Sequence, residues 1–84
     1  MAQFSFDVEF RTDRTNSLGQ PITEFEIVVY IKDPIIGELI YPMSVSYING
    51  SVIHDVQKLE NEFPPGQLRR EMISNMKTFI KSEI

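Results

Sequence analysis

Between Phe4 and Arg11 every second residue is apolar. Phe4, Phe6, Val8 and Phe10 alternate with Ser5, Asp7, Glu9 and Arg11. Successive side chains on a β-strand point to opposite faces, so this pattern commits the segment to a strand with one face in a core and one in water. A second run repeats the device. Phe25, Ile27, Val29 and Ile31 share one parity, against Glu24, Glu26, Val28, Tyr30 and Lys32. A third run starts at Glu38, with Leu39, Tyr41, Met43, Val45 and Tyr47 opposite Ile40, Pro42, Ser44, Ser46 and Ile48. Pro42 has no N–H for a ladder, which points to an edge position.

The breaks between runs are equally readable. Thr12 to Pro21 contains Asn16, Ser17, Gly19 and Pro21 and reads as a polar loop. Asp33-Pro34-Ile35-Ile36-Gly37 reads as a hairpin turn in which Gly37 takes a positive φ. Antiparallel partners have a constant index sum, so register can be tested by arithmetic. A sum of 70 pairs Phe25, Ile27, Val29 and Ile31 with Val45, Met43, Tyr41 and Leu39, and sets Lys32 beside Glu38 on the other face. For the first two strands a sum of 35 pairs apolar residues throughout but opposes Glu9 to Glu26, whereas a sum of 37 avoids that repulsion. Both give a meander with the second strand in the centre.

After Asn49-Gly50 the period changes. Val52, Val56, Leu59 and Phe63 follow a narrow helical stripe, with Asn49 or Ser51 as cap and Asp55 in the first turn. Asn-Gly is also a hairpin signal, so a fourth strand over residues 51–56 is the alternative; the stripe favours helix. Phe63-Pro64-Pro65-Gly66 breaks it, with proline suited to the first turn of the next helix. Leu68, Met72, Ile73, Met76, Phe79 and Ile80 make the strongest helical pattern in the chain.

The expected architecture is a single two-layer α+β domain over residues 1–84, in the order β-β-β-α-α. A three-stranded antiparallel meander, order 1-2-3, carries two C-terminal helices on the face of Phe4, Phe6, Val8, Phe10, Phe25, Ile27, Val29 and Ile31. Phe6, Val29, Met76 and Phe79 should be nearly inaccessible.

Chemistry is sparse. With 84 residues and no cysteine, neither a disulfide framework nor a thiolate metal site is available, and the stability margin of so small a core is thin. A bound partner or a second copy would add to it. The net charge of −4 is the wrong sign for a typical nucleic-acid binder. No basic, apolar leader opens the chain and no apolar run is long enough to span a bilayer, so a cytoplasmic protein is expected.

His54 is the one histidine, and the helical phase turns it to solvent. Adjacent Asp55 lies about 100° away around a helix and is poorly placed to orient it. No nucleophile elbow, phosphate loop or zinc-binding helix motif occurs. Asp7, Glu9, Glu24, Glu26 and Glu38 share a sheet face by parity, interspersed with Arg11 and Lys32. Such a cluster suits a hard cation, an acid/base pair or a basic partner, but a solvated face reads identically. Arg70, Lys77 and Lys81 lie within about 40° of one another on the last helix and form a basic stripe suited to phosphates, or a plain solvated face.

The outer sheet face is the departure from pattern. Val28, Tyr30, Ile40 and Pro42 form a contiguous apolar strip where a sheet covered on one side should be polar, and Glu26, Lys32 and Glu38 make a charged rim. The leading expectation is therefore a non-enzymatic protein-binding module without a cofactor, a small acidic inhibitor or adaptor acting through this face. Its partner is a second copy, as a homodimer, or another protein; no membrane is involved. The alternative is nucleic-acid binding through Arg70, Lys77 and Lys81. An acid/base enzyme built on the carboxylate face comes third.

Overall fold

The computed structural model describes residues 2–84. The chain runs through β1 (Gln3–Thr15), β2 (Pro21–Asp33), β3 (Gly37–Ile48), β4 (Ser51–His54), α1 (Val56–Glu62) and α2 (Gln67–Glu83). The strands form one antiparallel sheet in the order β1-β2-β3-β4. Leu59 and Phe63, with Met72, Met76 and Ile80 of α2, pack on the face that carries Phe25, Ile27, Val29 and Ile31. This is the expected α+β fold with C-terminal helices, but the sheet has four strands rather than three.

The extra strand follows from a two-residue turn. Asn49 has φ 49° and Gly50 φ 79°, and a hairpin turn with two left-handed residues twists in the sense of the flanking strands. Ser51–His54 then pairs with Val45–Ile48. The stripe that suggested one helix thus spans two elements. Val52 lies on β4, Val56 is exposed, and only Leu59 and Phe63 are buried. Helix α1 is capped by Asp55, whose Oδ1 accepts from the Lys58 N–H at 3.0 Å, and not by Asn49 or Ser51. Its short length leaves it dependent on Leu59 packing, because so few turns cannot stand alone. Pro64 and Pro65 precede α2 instead of entering its first turn, which begins after Gly66. Arg69 Nη2 donates to the Phe63 carbonyl at 3.3 Å and ties the link between the helices.

Strands β2 and β3 keep the index sum of 70 from Ile22↔Ile48 to Asp33↔Gly37. Gly37 has φ 95°, and Asp33 Oδ2 accepts from the N–H groups of Ile35 and Ile36 at 2.9 and 2.8 Å. Strands β1 and β2 take neither expected register throughout. The sum is 35 from Gln3↔Lys32 to Val8↔Ile27, then 36 from Phe10↔Glu26 onward, with Glu9 bulged out. The bulge removes Glu9 from its place opposite Glu26. It also turns every later residue of β1 to the other face.

The expected polar loop contracts to residues 16–20, because strand pairing runs through Thr15↔Pro21. Asn16 Oδ1 accepts from the N–H groups of Leu18 and Gln20, both at 2.9 Å, which closes the turn. Two strands of 13 residues extend about 43 Å, and the molecule measures 45 × 22 × 17 Å. Helix α2, with 17 residues, covers only about 25 Å of that length. The β1–β2 hairpin therefore projects beyond the helices. Val29 and Met76 are fully buried, whereas Phe6 and Phe79 are half-buried. These two rings stack on each other at 5.0 Å on the flank of the core.

Candidate functional site

The layers leave the sheet with two unlike faces. One is closed by the helices. On the other, register places Ser5, Tyr30 and Ile40 in one row across β1, β2 and β3, and Asp7, Val28 and Pro42 in the next. Among the described residues nothing folds over this strip. Tyr30 is 37 % and Ile40 68 % exposed, Pro42 is exposed and Val28 half-buried. A shallow groove of about 320 Å³ runs beside the tyrosine, lined by Tyr30, Ile31, Lys32, Glu38, Leu39 and Ile40. A second of about 210 Å³ lies on its other side, between Tyr30, Lys32 and Gln3–Ser5.

The rim is arranged around this centre. Lys32 Nζ lies 3.9 Å from Glu38 Oε1. Glu26 pairs with Ser44 across β2 and β3, and its carboxylate oxygens stand 2.8 and 2.7 Å from the Ser44 hydroxyl, which donates. Arg14 Nη2 reaches Glu24 Oε1 at 2.8 Å further along the same face. Desolvation, with Asp7 and then Glu9 adding negative charge nearby, raises the Tyr30 hydroxyl pKa above its ordinary value. A tyrosine is already neutral at physiological pH, and the shift, to which hydrogen bonding with Asp7 contributes, keeps this phenol so.

The bulge at Glu9 changes the composition of this face. Phe10, expected in the core, pairs with Glu26 and stands 71 % exposed on the outer side. Arg11, expected among the outer carboxylates, faces the helices, where its guanidinium lies 5.5 Å from the Phe25 ring centroid. Its Nη1 donates to the Glu83 carbonyl at 2.9 Å. Ile53 of β4, opposite Ser46, adds a further exposed apolar side chain. Sequence reasoning missed both Phe10 and Ile53. The signal for the first was the Glu9–Glu26 clash in the all-apolar register, which a bulge relieves without giving up the pairing on either side.

The sheet's edges are blunted, unlike its open face. Strand β1 is an edge along its whole length, but it carries the bulge and the charges Asp7, Glu9, Arg11, Asp13 and Arg14. The part of β3 beyond the reach of β4 carries Pro42. Bulges, charges and proline are the standard means of blocking strand addition.

Arg70, Lys77 and Lys81 are all exposed on α2, on the side away from buried Met72, Met76 and Ile80. The structure does not bring them near the outer sheet face, which lies across the other layer. His54 is not the exposed helical residue expected. It ends β4 opposite Val45 and is half-buried, and burial followed by the charge of Lys77 lowers its pKa. Tyr41 donates to Glu62 Oε1 at 3.0 Å; burial and that bond raise its pKa to about 12. Among the described residues no three acidic or histidine side chains converge to hold a metal ion, and no helix is long and apolar enough to cross a membrane. Compared with known protein families, with curated proteins and with solved structures, the chain matches none.

Proposed function

We propose that this chain works by binding another protein through the outer face of its sheet, as a small acidic inhibitor or adaptor and not as a catalyst. One observation carries the reading. Both helices sit on one side of the sheet, and the other side presents Val28, Tyr30, Ile40 and Pro42 as an open apolar centre bordered by Glu26, Lys32 and Glu38. An apolar strip with a tyrosine at its centre and charges at its rim has the layout of a docking surface. The blunted edges favour contact through the face over strand addition.

Photo-crosslinking distinguishes the surfaces. Benzoylphenylalanine placed at Ile40 should give protein adducts in the producing cell, and Tyr30→Asp should abolish them. The same probe at Arg70 should give none. Adducts confined to position 70 would overturn the reading, and nucleic acid among them would favour the basic stripe of Arg70, Lys77 and Lys81.

A further inference from the structure

We infer that the partner segment docking on the outer face is cationic and belongs to a different protein. It brings an apolar anchor to Tyr30 and Ile40, and Arg or Lys side chains to Asp7, Glu9 and Glu26. The inference rests on the docking reading above and names the partner's chemistry.

Charge complementarity is the argument. Among the described residues, register places Arg14 and Lys32 as the cations of this face, and each already has a carboxylate, Glu24 and Glu38 respectively. Asp7 and Glu26 are left without a cation on the face, and Glu9 joins Asp7 beside the Tyr30 hydroxyl. The bulge exchanges Arg11 for Arg14 on this face, and Arg14 is taken up by Glu24, so no cation is left for Asp7 or Glu26. The same shift brings Phe10 out beside Glu26. The surface is thus aromatic and negative together, and an arginine or lysine with an apolar neighbour satisfies both properties. Arginine gains twice, pairing with a carboxylate and stacking on Tyr30 or Phe10.

A second copy fits less well in either arrangement. A twofold axis through the strip would bring Asp7, Glu9 and Glu26 towards their own images, and like charges across an interface are repulsive. A head-to-tail copy would offer the outward side of α2, with Arg70, Ser74, Lys77 and Lys81. That side is basic, but between Arg70 and Lys81 it carries no well-exposed apolar side chain, and Ile84, 54 % exposed, follows only at the helix end.

The test is selection of phage-displayed random dodecapeptides on the full chain, with Tyr30→Asp as counter-selection. Peptides dependent on Tyr30 should be enriched in Arg and Lys around an aromatic or aliphatic residue. A selected peptide should bind more weakly as salt rises. Asp7→Asn with Glu26→Gln should weaken it about 2- to 10-fold, while both variants keep the parent's circular dichroism. Tyr30-dependent peptides of neutral or acidic composition would overturn the cationic partner and leave the docking face standing. Failure to recover any Tyr30-dependent peptide would overturn both. Light scattering that shows a dimer of the parent and a monomer of Tyr30→Asp would assign the face to a second copy and overturn this inference alone.

Discussion

The guanidinium of Arg11 sits 5.5 Å from the centroid of the Phe25 ring, on the side of the sheet that carries the helices. Strict alternation from Phe4 would have pointed Arg11 the other way. The pair exists because Glu9 is bulged out of the ladder between Val8 and Phe10. The bulge exchanges a phenylalanine for an arginine between the two faces. On the inner side the arginine covers the edge of the core and caps the end of α2 through the Glu83 carbonyl, a favourable place for a cation at the negative end of a helix.

Two phenylalanines of one apolar pattern should therefore behave in opposite ways. Phe25 is 1 % and Phe10 71 % exposed. Phe25→Ala should cost about 3–5 kcal/mol and leave little folded protein. Phe10→Ser should change stability by less than about 0.5 kcal/mol. Urea denaturation of the two variants checks this; comparable losses would place Phe10 back in the core.

Arg11→Gln removes the charge over Phe25 and the contact with the end of α2. The expected cost is about 1 kcal/mol, since both contacts are partly open to water. Amide exchange should speed up selectively in the last turn of α2. A uniform effect across the chain would argue against the Arg11–Glu83 contact.

Deleting Glu9 should leave the cross-strand neighbours unchanged on both sides of the cut, because Val8↔Ile27 and Phe10↔Glu26 are then simply consecutive pairs. Nuclear Overhauser contacts between Phe10 and Glu26 should survive. The straightened edge should self-associate more readily than the parent, since the bulge no longer interrupts it. Contacts between Phe10 and Phe25 in the deletion variant would mean that the strand had slipped.

His54 should make the fold acid-sensitive. Burial, then Lys77, lowers its pKa from the ordinary 6.5, with Asp55 opposing in part. Unfolded chain therefore binds a proton that folded chain still refuses. This contribution to stability is fully present above about pH 6.5 and is lost as the pH falls from there to the folded value. The ring resonances of His54 should titrate below 6.5 in the parent, and Lys77→Gln should move the midpoint upward. A midpoint at or above the ordinary value would place the ring in solvent.

What could be read from residue order alone was whatever water and core divide cleanly. Strand β2 has one buried face along Phe25, Ile27, Val29 and Ile31, so its period and its partnership with β3 at a sum of 70 followed from the pattern. The same holds for Met72, Met76 and Ile80 on α2. Residues 12–15 of the projecting hairpin gave no such signal because all four are exposed. Its ladder is held instead by polar cross-strand pairs such as Thr23 to Asp13 at 2.8 Å. The apolar strip of the outer face was also legible, since Val28, Tyr30, Ile40 and Pro42 lie across adjoining strands in a register that arithmetic selects.

Tertiary structure alone decided the bulge at Glu9, the turn of Asn49 and Gly50 into a fourth strand, and the placing of Phe10 and Arg11 on opposite faces. The bulge and the faces of Phe10 and Arg11 depend on weighing one ladder against another across the sheet, whereas the Asn49–Gly50 turn is local and residue order left hairpin and helix both open there. Glu9 stays in β1 but leaves the ladder, because the cost of one unpaired residue is set against apolar pairing before it and charge separation beside Glu26. A one-residue shift inverts every side chain beyond it, so local alternation carries no information about the outcome.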